Sequence, residues 1–502
     1  MSELSLQGFI DECEREPLHH IQSIQPHGAL LAGVSGDPQV RWVSANLEDW
    51  LGCAPQQALD QSLAALLPDC PLFEQDTEWT RAQEDKQLLP ALVTGPQGAL
   101  DALLSGHAQH WLLELELAKP EIRHEAQRPV PHRLYRLPSS AEEWEQQCHF
   151  LTEELRGCTG FDRVMLYRFR PDGCGEVIAE SLEHGLAPYL GLRYPASDIP
   201  QIARTLYLEN RHRQIPDIQA QPVPIIGEDA ALLDLTRSDL RAVSPVHIHY
   251  LANMGVTASL SFSLILSGRL WGLIACHCAT ARLVPLPLRE RCSEMAKVFT
   301  LAIAGYKNYE RLLEVSNSDH DIALLVETLH SAEAEHSHDS ARALGRSLLS
   351  LVNARGAALI DDDTIVTFGV TPAKTELRAL ADWIRQHNSE HIFMSDALPE
   401  HYPPAQHYRD CASGVLAVQV NRFDARGDRL FMWLRPEQPQ TVYWAGDPRK
   451  STLFDEQSQS LSPRSSFEQW IETTSGHSEP WTDADRLRAL KFRSLVLRDV
   501  SF

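Results

Sequence analysis

The sequence predicts an α+β chain of several domains, with antiparallel sheets and flanking helices. Three observations lead there. The chain has 502 residues, which at roughly 100–200 residues per domain suits about three units. Apolar residues make up 43% and charged residues 23%, the balance of a globular chain with several cores. Short runs of period two, bounded by Gly, Pro, Asn or Asp, are interleaved with longer stretches of helical period.

The elements follow in order. Up to about Lys119 the chain reads as a small mixed sheet. Ile24–Val34 is an apolar run opened by Pro26 and Gly28, Gly36–Asp37–Pro38 is a turn, and Gln39–Ala45 alternates like a strand. Trp111–Lys119 (WLLELELAK) is a strand with one wet face. Pro120–Arg136 is polar, holds three prolines and reads as a linker. A second domain, roughly 135–310, starts with a helix at Ala141–Gly157 and a strand at Asp162–Phe169. After the turn Pro171–Gly175 comes a strand at Glu176–Ala179. Thr257–Leu266 and Leu270–Cys278 form a hairpin joined at Ser267–Gly268. Arg289–Asn308 is helical and continues through Tyr309–Glu314, with a break expected near Ser316–Asp319. In the third domain Arg355–Phe368 and Gly414–Leu434 contain strand pairs, and Thr441–Trp444 adds a short one. Asp447–Thr474 is a polar stretch whose length suggests either disorder or a functional arm. The C-terminal helix, Thr482–Val500, repeats Leu487, Leu490, Ser494 and Leu497 at a/d spacing.

Composition narrows the function. A formal net charge of −23 repels phosphate backbones and argues against nucleic-acid binding. Met1–Asp11 is acidic rather than a basic region followed by an apolar core, so no secretory signal is read. No apolar span is long enough for a membrane helix, since Ser267, Gly268 and Arg269 interrupt the best stretch. The ten cysteines are scattered, with no C-x-x-C spacing, which suits a reducing cytoplasm. There is no G-x-S-x-G elbow, kinase H-box, Gly-rich nucleotide pocket or GGDEF sequence, so the chain is not expected to be an enzyme.

Four stretches then stand out. Tyr194–Pro200 reads YPASDIP, and Cys13–Leu30 reads CEREPLHHIQSIQPHGAL. Arg241–Ile265 reads RAVSPVHIHYLANMGVTASLSFSLI, followed by LWGLIACH at Leu270–His277. Pro463–Phe467 reads PRSSF, preceded by YWAG at Tyr443–Gly446. In their order along the chain they resemble the signature blocks of bacterial phytochromes. The resemblance implies a photosensory core: an N-terminal segment with a PAS domain over 1–130, a bilin-binding GAF domain over 131–314, and a PHY domain over 315–502. The PHY domain would carry a tongue at about 436–480 and a C-terminal output helix. The implied function is red/far-red photoreception by double-bond isomerisation of a bilin. The signal would pass through tongue and helix to an output domain outside this chain, a histidine kinase or a diguanylate cyclase.

The resemblance also assigns residues. Cys13 is the attachment thiol, since a thiol adds to a vinyl group to give a thioether. Plant and cyanobacterial relatives attach their bilin through a Cys just before the pocket histidine. Here Val246 precedes His247, which points to biliverdin IXα on Cys13. Asp198 and His247 are implied at the pyrrole nitrogens, with Ile199 beside them in the same block. Arg213 and Arg241 are the implied propionate clamp, with hydroxyls from Tyr207, Ser244, Ser259 and Ser261. Ser259 and Ser261 have period two and share a strand face, as a clamp requires. Tyr167, Tyr194 and Tyr250 match positions around the rotating ring, and His277 matches the donor to that ring's carbonyl. Cys276 and Cys278 flank His277, but neighbouring strand residues point to opposite faces and cannot converge on a metal. Arg464 of the tongue is expected to pair with Asp198, while Trp444, Ser466 and Phe467–Trp470 repack when the arm switches. Leu192 and Ala275 replace the Gln and Ser of members that rest in the far-red form, so a red-absorbing resting state is expected.

Without the resemblance the same residues have plainer readings. Cys13 is a free thiol, the arginines solvated charges, His247 a satisfied core histidine and the tyrosines core packing. A GAF-like sensor of a small ligand such as a cyclic nucleotide, without pigment, is the alternative function. The terminal heptads and the helix at Arg289–Asn308 make a parallel homodimer the expected assembly.

Overall fold

The computed structural model describes residues 16–68, 70, 73, 79, 86–107, 109–335, 337–361, 364–388, 390–420, 429–448, 452–455, 460–463, 467 and 469–499. Cys13, Arg464 and Ser466 lie outside them. Two compact units result. One holds 1–306 with 443–470, and the other 307–442 with 471–502.

The first unit contains one antiparallel sheet and one that is antiparallel except for a single parallel pairing. In the seven-stranded sheet, Gly28–Val34 lies between Trp42–Ser44 and His110–Leu117, followed by Gly98–His107 and Gln87–Gly95. Its other end is unusual. Val223–Gly227, from far along the chain, inserts between Trp42–Ser44 and the short strand Ser23–Ile24. The two faces of this sheet bury separate apolar clusters because successive side chains alternate. Leu31 and Leu113 go to one, Leu30 and Leu112 to the other.

The second sheet is centred on Ala258–Leu266 and Arg269–Cys278. Ser267 and Gly268 both have positive φ, 50° and 73°, the backbone of a type I′ turn that follows strand twist. His212–Ile215 pairs on one side, and Arg163–Phe169, Gly175–Leu182 and Arg193–Tyr194 on the other. Helix Ala141–Thr159 packs on this sheet, capped by Ser140, whose hydroxyl accepts the Glu143 N–H. The stretch read as a linker is partly structured: short turns at Pro120–Ile122 and His132–Tyr135 carry Leu134 into the core.

The expected break near Ser316–Asp319 does not occur. Helix Leu286–Glu335 runs through it. The segment has no Gly or Pro, and Ser, Asn and Asp cost only a few tenths of a kcal/mol each in a helix, up to about 0.7. A polar stretch of this kind therefore does not stop a long helix.

The second unit has a five-stranded antiparallel sheet in the order Thr364–Gly369, Gly356–Asp361, Arg429–Arg435, Gly414–Val420, Ile392–Ser395. Apolar clusters cover both faces. The terminal helix Asp483–Asp499 buries Asp485, Ala489, Phe492 and Val496. That face is offset from the Leu487–Leu490–Leu497 stripe, which stays only partly buried. Arg435, paired with Asp485 at 3.2 Å, fixes the phase of the helix.

Candidate functional site

The pocket-facing side of the second sheet and two helices enclose a mostly apolar cavity of about 240 Å³. Helix Pro245–Asn253 starts on Pro245, a residue suited to the first helical turn, and presents His247 and Tyr250 to the cavity. Tyr194–Pro200 turns between a short strand and helix Gln201–Glu209, bringing Asp198 and Ile199 to the wall. Tyr207 comes from that helix. Ser259, Ser261 and His277 come from the central hairpin, and Tyr167 and Tyr194 from the strands beside it. Arg213, Arg241 and Ser244 close the far end. Every sequence-assigned pigment contact within the described residues thus lines one cavity.

The polar contacts have a clear order. The Tyr250 hydroxyl donates to Asp198 Oδ2 at 2.8 Å. The rings of His247 and Tyr250 lie nearly parallel, 6.1 Å apart. Tyr207 and Ser261 hydroxyls are 3.1 Å apart. Arg213 donates to the carbonyls of Asp239, Arg241 and Ala242, and Arg241 donates to that of Leu18. Ser244 donates to Glu16 at 2.7 Å. Gly175 has no side chain because the Tyr167 ring occupies the space a Cβ would fill.

Electrostatics make the cavity ask for a particular ligand. Among the described residues neither Arg213 nor Arg241 meets a carboxylate within ion-pair distance. Burial lowers Arg213. Burial and then Arg213 itself pull Arg241 down to about 9, so both stay cationic at neutral pH. Arg241 Nε is buried with no hydrogen-bond partner. Two buried, mutually repelling cations favour an anionic ligand. At the other end His247 is held down to about 4, chiefly by burial and then by Arg213. His277 is held down to about 3 by burial, then Arg163 and His247. Both histidines are therefore neutral, and the buried Nδ1 of His277 has no partner. Neutral imidazoles and the Asp198 carboxylate can accept or share protons with a nitrogen-rich ligand; the arginines can hold its acids. The residues present fit a bilin bearing two propionates.

Residues the sequence reading did not assign complete the site. Glu16 and Leu18 bring the N-terminal segment to the cavity wall, and Met165, Val177, Leu206, Met254 and Leu273 supply apolar surface. Arg204 grips the Asp198 turn through the carbonyls of Ile199, Ala196 and Gly173, with its guanidinium over Phe169. Its position in the helix just after the turn was the available signal.

Arm residues meet this wall. Trp444 pairs in parallel with Arg193, and Ala445 is fully buried beside Tyr167 and Tyr194. Phe467 packs edge-on against Tyr250, centroids 5.2 Å apart.

Family models match in sequence: "PAS fold" over 13–118, "GAF domain" over 143–305 and "Phytochrome region" over 323–501. A bacteriophytochrome of Xanthomonas campestris is 32% identical over 97% of this chain and 78% of its own length. The chain belongs to the bacteriophytochrome family. A crystal structure of a bacteriophytochrome from R. palustris superposes with a TM-score of 0.81 at 35% identity, covering 98% of this chain and 99% of that one. The photosensory core module of the Stigmatella aurantiaca phytochrome gives 0.80 at 33% identity, covering 97% and 98%. Cyanobacterial phytochrome B of Nostoc is 36% identical over 97% of this chain and 66% of its own length. The chain thus spans just under two thirds of that relative. It is a phytochrome photoreceptor core, and membership implies a bilin chromophore. Among the described residues no helix is long and apolar enough to cross a membrane.

Proposed function

We propose that this bacteriophytochrome core binds biliverdin IXα in the cavity, attaches it through Cys13, and switches between red- and far-red-absorbing states. The observation that carries this reading is the pairing of two buried, carboxylate-free guanidiniums with two neutral histidines at one cavity. Arg213 and Arg241 would hold the propionates, with Tyr207, Ser244, Ser259 and Ser261 as hydroxyl partners. Asp198 and His247 would face the pyrrole nitrogens, and His277 a ring carbonyl. Bound pigment would supply light absorption and isomerisation about one double bond. The protein's part is to keep His247 and His277 uncharged, shape the space between Tyr167, Tyr194 and Tyr250, and register the change through Asp198. Arg464 would pair with Asp198 in one state. Trp444, Ser466 and Phe467 would repack as the arm switches, the arm being bistable.

The reading assigns 1–130, 131–314 and 315–502 to PAS, GAF and PHY. It takes the red-absorbing form as the resting state, from Leu192 and Ala275. The assembly is a parallel homodimer in the cytoplasm. The signal would leave by the terminal helix toward a histidine kinase or diguanylate cyclase.

The test is assembly with biliverdin. A red/far-red-reversible difference spectrum is expected, with a zinc-fluorescent band surviving denaturation. Cys13→Ala should lose that band. A chain that stays colourless would favour a pigment-free ligand sensor instead.

A further inference from the structure

Away from the cavity, on the opposite face of the second sheet, two thiols meet. Cys158 lies in the last turn of helix Ala141–Thr159, partly exposed. Cys292 lies near the start of helix Leu286–Glu335 and is fully buried. Both side chains belong to one apolar cluster, Cys158 packed against it and Cys292 within it, and each thiol is the other's foremost electrostatic neighbour. Arg291, itself buried, places Nη1 2.8 Å from Cys158 Sγ and anchors its Nε on the Arg128 carbonyl. Glu125 stands 3.6 Å from the same guanidinium, and Cys276 belongs to the same buried cluster as Cys292.

This is an asymmetric pair. The Cys292 thiol and Arg291 both stabilise a thiolate at Cys158 and pull that thiol below its ordinary value, against the cost of burial. Cys292 is pushed up by Cys158 and by burial. A thiolate beside a guanidinium, reachable from solvent, with a protonated thiol in contact, is the arrangement of an attacking and a resolving cysteine. A structural core cysteine needs neither the guanidinium nor the partial exposure. Among the described residues no other cysteine sulfur accepts from a guanidinium.

We propose that Cys158 and Cys292 form a peroxide-responsive dithiol that closes to a disulfide tying the two helices together. The Cys158 thiolate attacks one oxygen of hydrogen peroxide. The O–O bond breaks, hydroxide leaves and takes up the proton that the Cys158 thiol released on ionising, giving the first water, and Cys158 becomes a sulfenic acid. Cys292 sulfur then attacks the Cys158 sulfur. The S–O bond breaks, and the oxygen departs as water with the Cys292 proton. Two thiols are oxidised by two electrons and one peroxide is reduced to two waters. A low-molecular-weight thiol reverses the bond by exchange. The link would join the helix that covers the pigment-binding sheet to the long helix leading out of this unit.

The test uses the full chain, reduced and desalted, exposed to hydrogen peroxide, alkylated, and digested without reductant. The expected product joins the peptides holding Cys158 and Cys292, two hydrogens lighter than their sum and separated by dithiothreitol. In Cys292→Ser, dimedone should capture a sulfenic acid at Cys158. Because substitution at a fully buried site can disturb the fold, the unaltered chain carries a second readout. At neutral pH iodoacetamide should alkylate Cys158 several-fold faster than Cys53, which is also partly exposed. Two thiols that stay fully alkylatable after peroxide, or a Cys158 no faster than Cys53, would overturn the proposal.

Discussion

At Arg241 two demands pull apart. Its guanidinium is buried next to Arg213 and, among the described residues, has the Leu18 carbonyl as its hydrogen-bond acceptor. Arg241→Ala should leave the pigment-free fold about as stable, since a repelling buried cation is removed. It should weaken pigment binding by roughly 1.5–3 kcal/mol, about ten- to a hundredfold, if that cation holds a propionate. Titration with biliverdin beside urea unfolding separates the two effects; equal affinity would remove Arg241 from the clamp. The histidines give a pH test. Unfolded, His247 takes a proton below its ordinary 6.5; folded, it resists until about 4. The unfolded state therefore binds more protons in that window, and stability falls as pH falls from 6.5 toward 4. Between pH 7 and 5 the share of His247 is about 2 kcal/mol. Glu114, whose carboxyl is raised by burial and Asp239, works the opposite way. The measurement is thus the difference between the unaltered chain and His247→Gln in urea midpoints, which should narrow toward pH 5. An unchanged gap would mean His247 is not held neutral. These pocket residues were legible because their types and spacings are themselves the family's signature. Glu16 and Leu18 were not, because Glu16 acts through one long-range contact with Ser244 and Leu18 through its backbone carbonyl, and such contacts leave no spacing to read.

Among the elements, the arm is the one whose contacts carry a direct test. Phe467 meets Tyr250, and Tyr250 donates to Asp198, so one aromatic edge links the arm to the turn that faces the cavity. An edge-to-face pair contributes about 0.5–1.5 kcal/mol beyond its buried area. Phe467→Ala should loosen the arm and change the dark-reversion rate by roughly three- to tenfold, that energy converted to a rate. Unaltered reversion with unaltered proteolysis of 443–470 would show that the contact does not hold the arm. The hairpin at Ser267–Gly268 was readable because its turn needs positive φ at two positions and glycine supplies one. The break expected at 316–319 failed because Ser, Asn and Asp lower helix propensity without stopping a helix. The terminal helix was legible from its period, while its buried face of Asp485, Ala489, Phe492 and Val496, which includes the Arg435–Asp485 pair, lies beside the a/d leucines and was not. The arm stretch, left open between disorder and function, includes a hairpin of Thr452–Asp455 with Ser460–Pro463.

For the whole molecule, the first unit is held together by contacts no local pattern announces. Ser23–Ile24 pairs with Val223–Gly227, and buried Glu116 takes both Arg289 nitrogens. His212, Asp239 and Glu290 come close enough to suggest a metal. Lys86 and Arg289 already stand beside Asp239, however, so the group is balanced as an ion network. Part of what this unit leaves uncovered is apolar. Leu301 is 66% exposed and Leu137 63%. Leu137 lies over Gly305, one turn from Leu301 on the same helix face. A homodimer is the assembly proposed for this chain, and a helix face with exposed leucines is where a second copy would gain most. Burying one leucine contributes about 1.5–3 kcal/mol, and two-fold symmetry counts each substitution twice. Leu301→Glu should therefore raise the dimer dissociation constant at least tenfold while leaving the difference spectrum intact, because the residue is remote from the cavity wall. Sedimentation of the pigment-loaded chain across a concentration series reads this directly. If Leu301→Glu sediments as the unaltered chain does, the dimer forms elsewhere. If the chain is monomeric throughout, the exposed leucines serve another purpose.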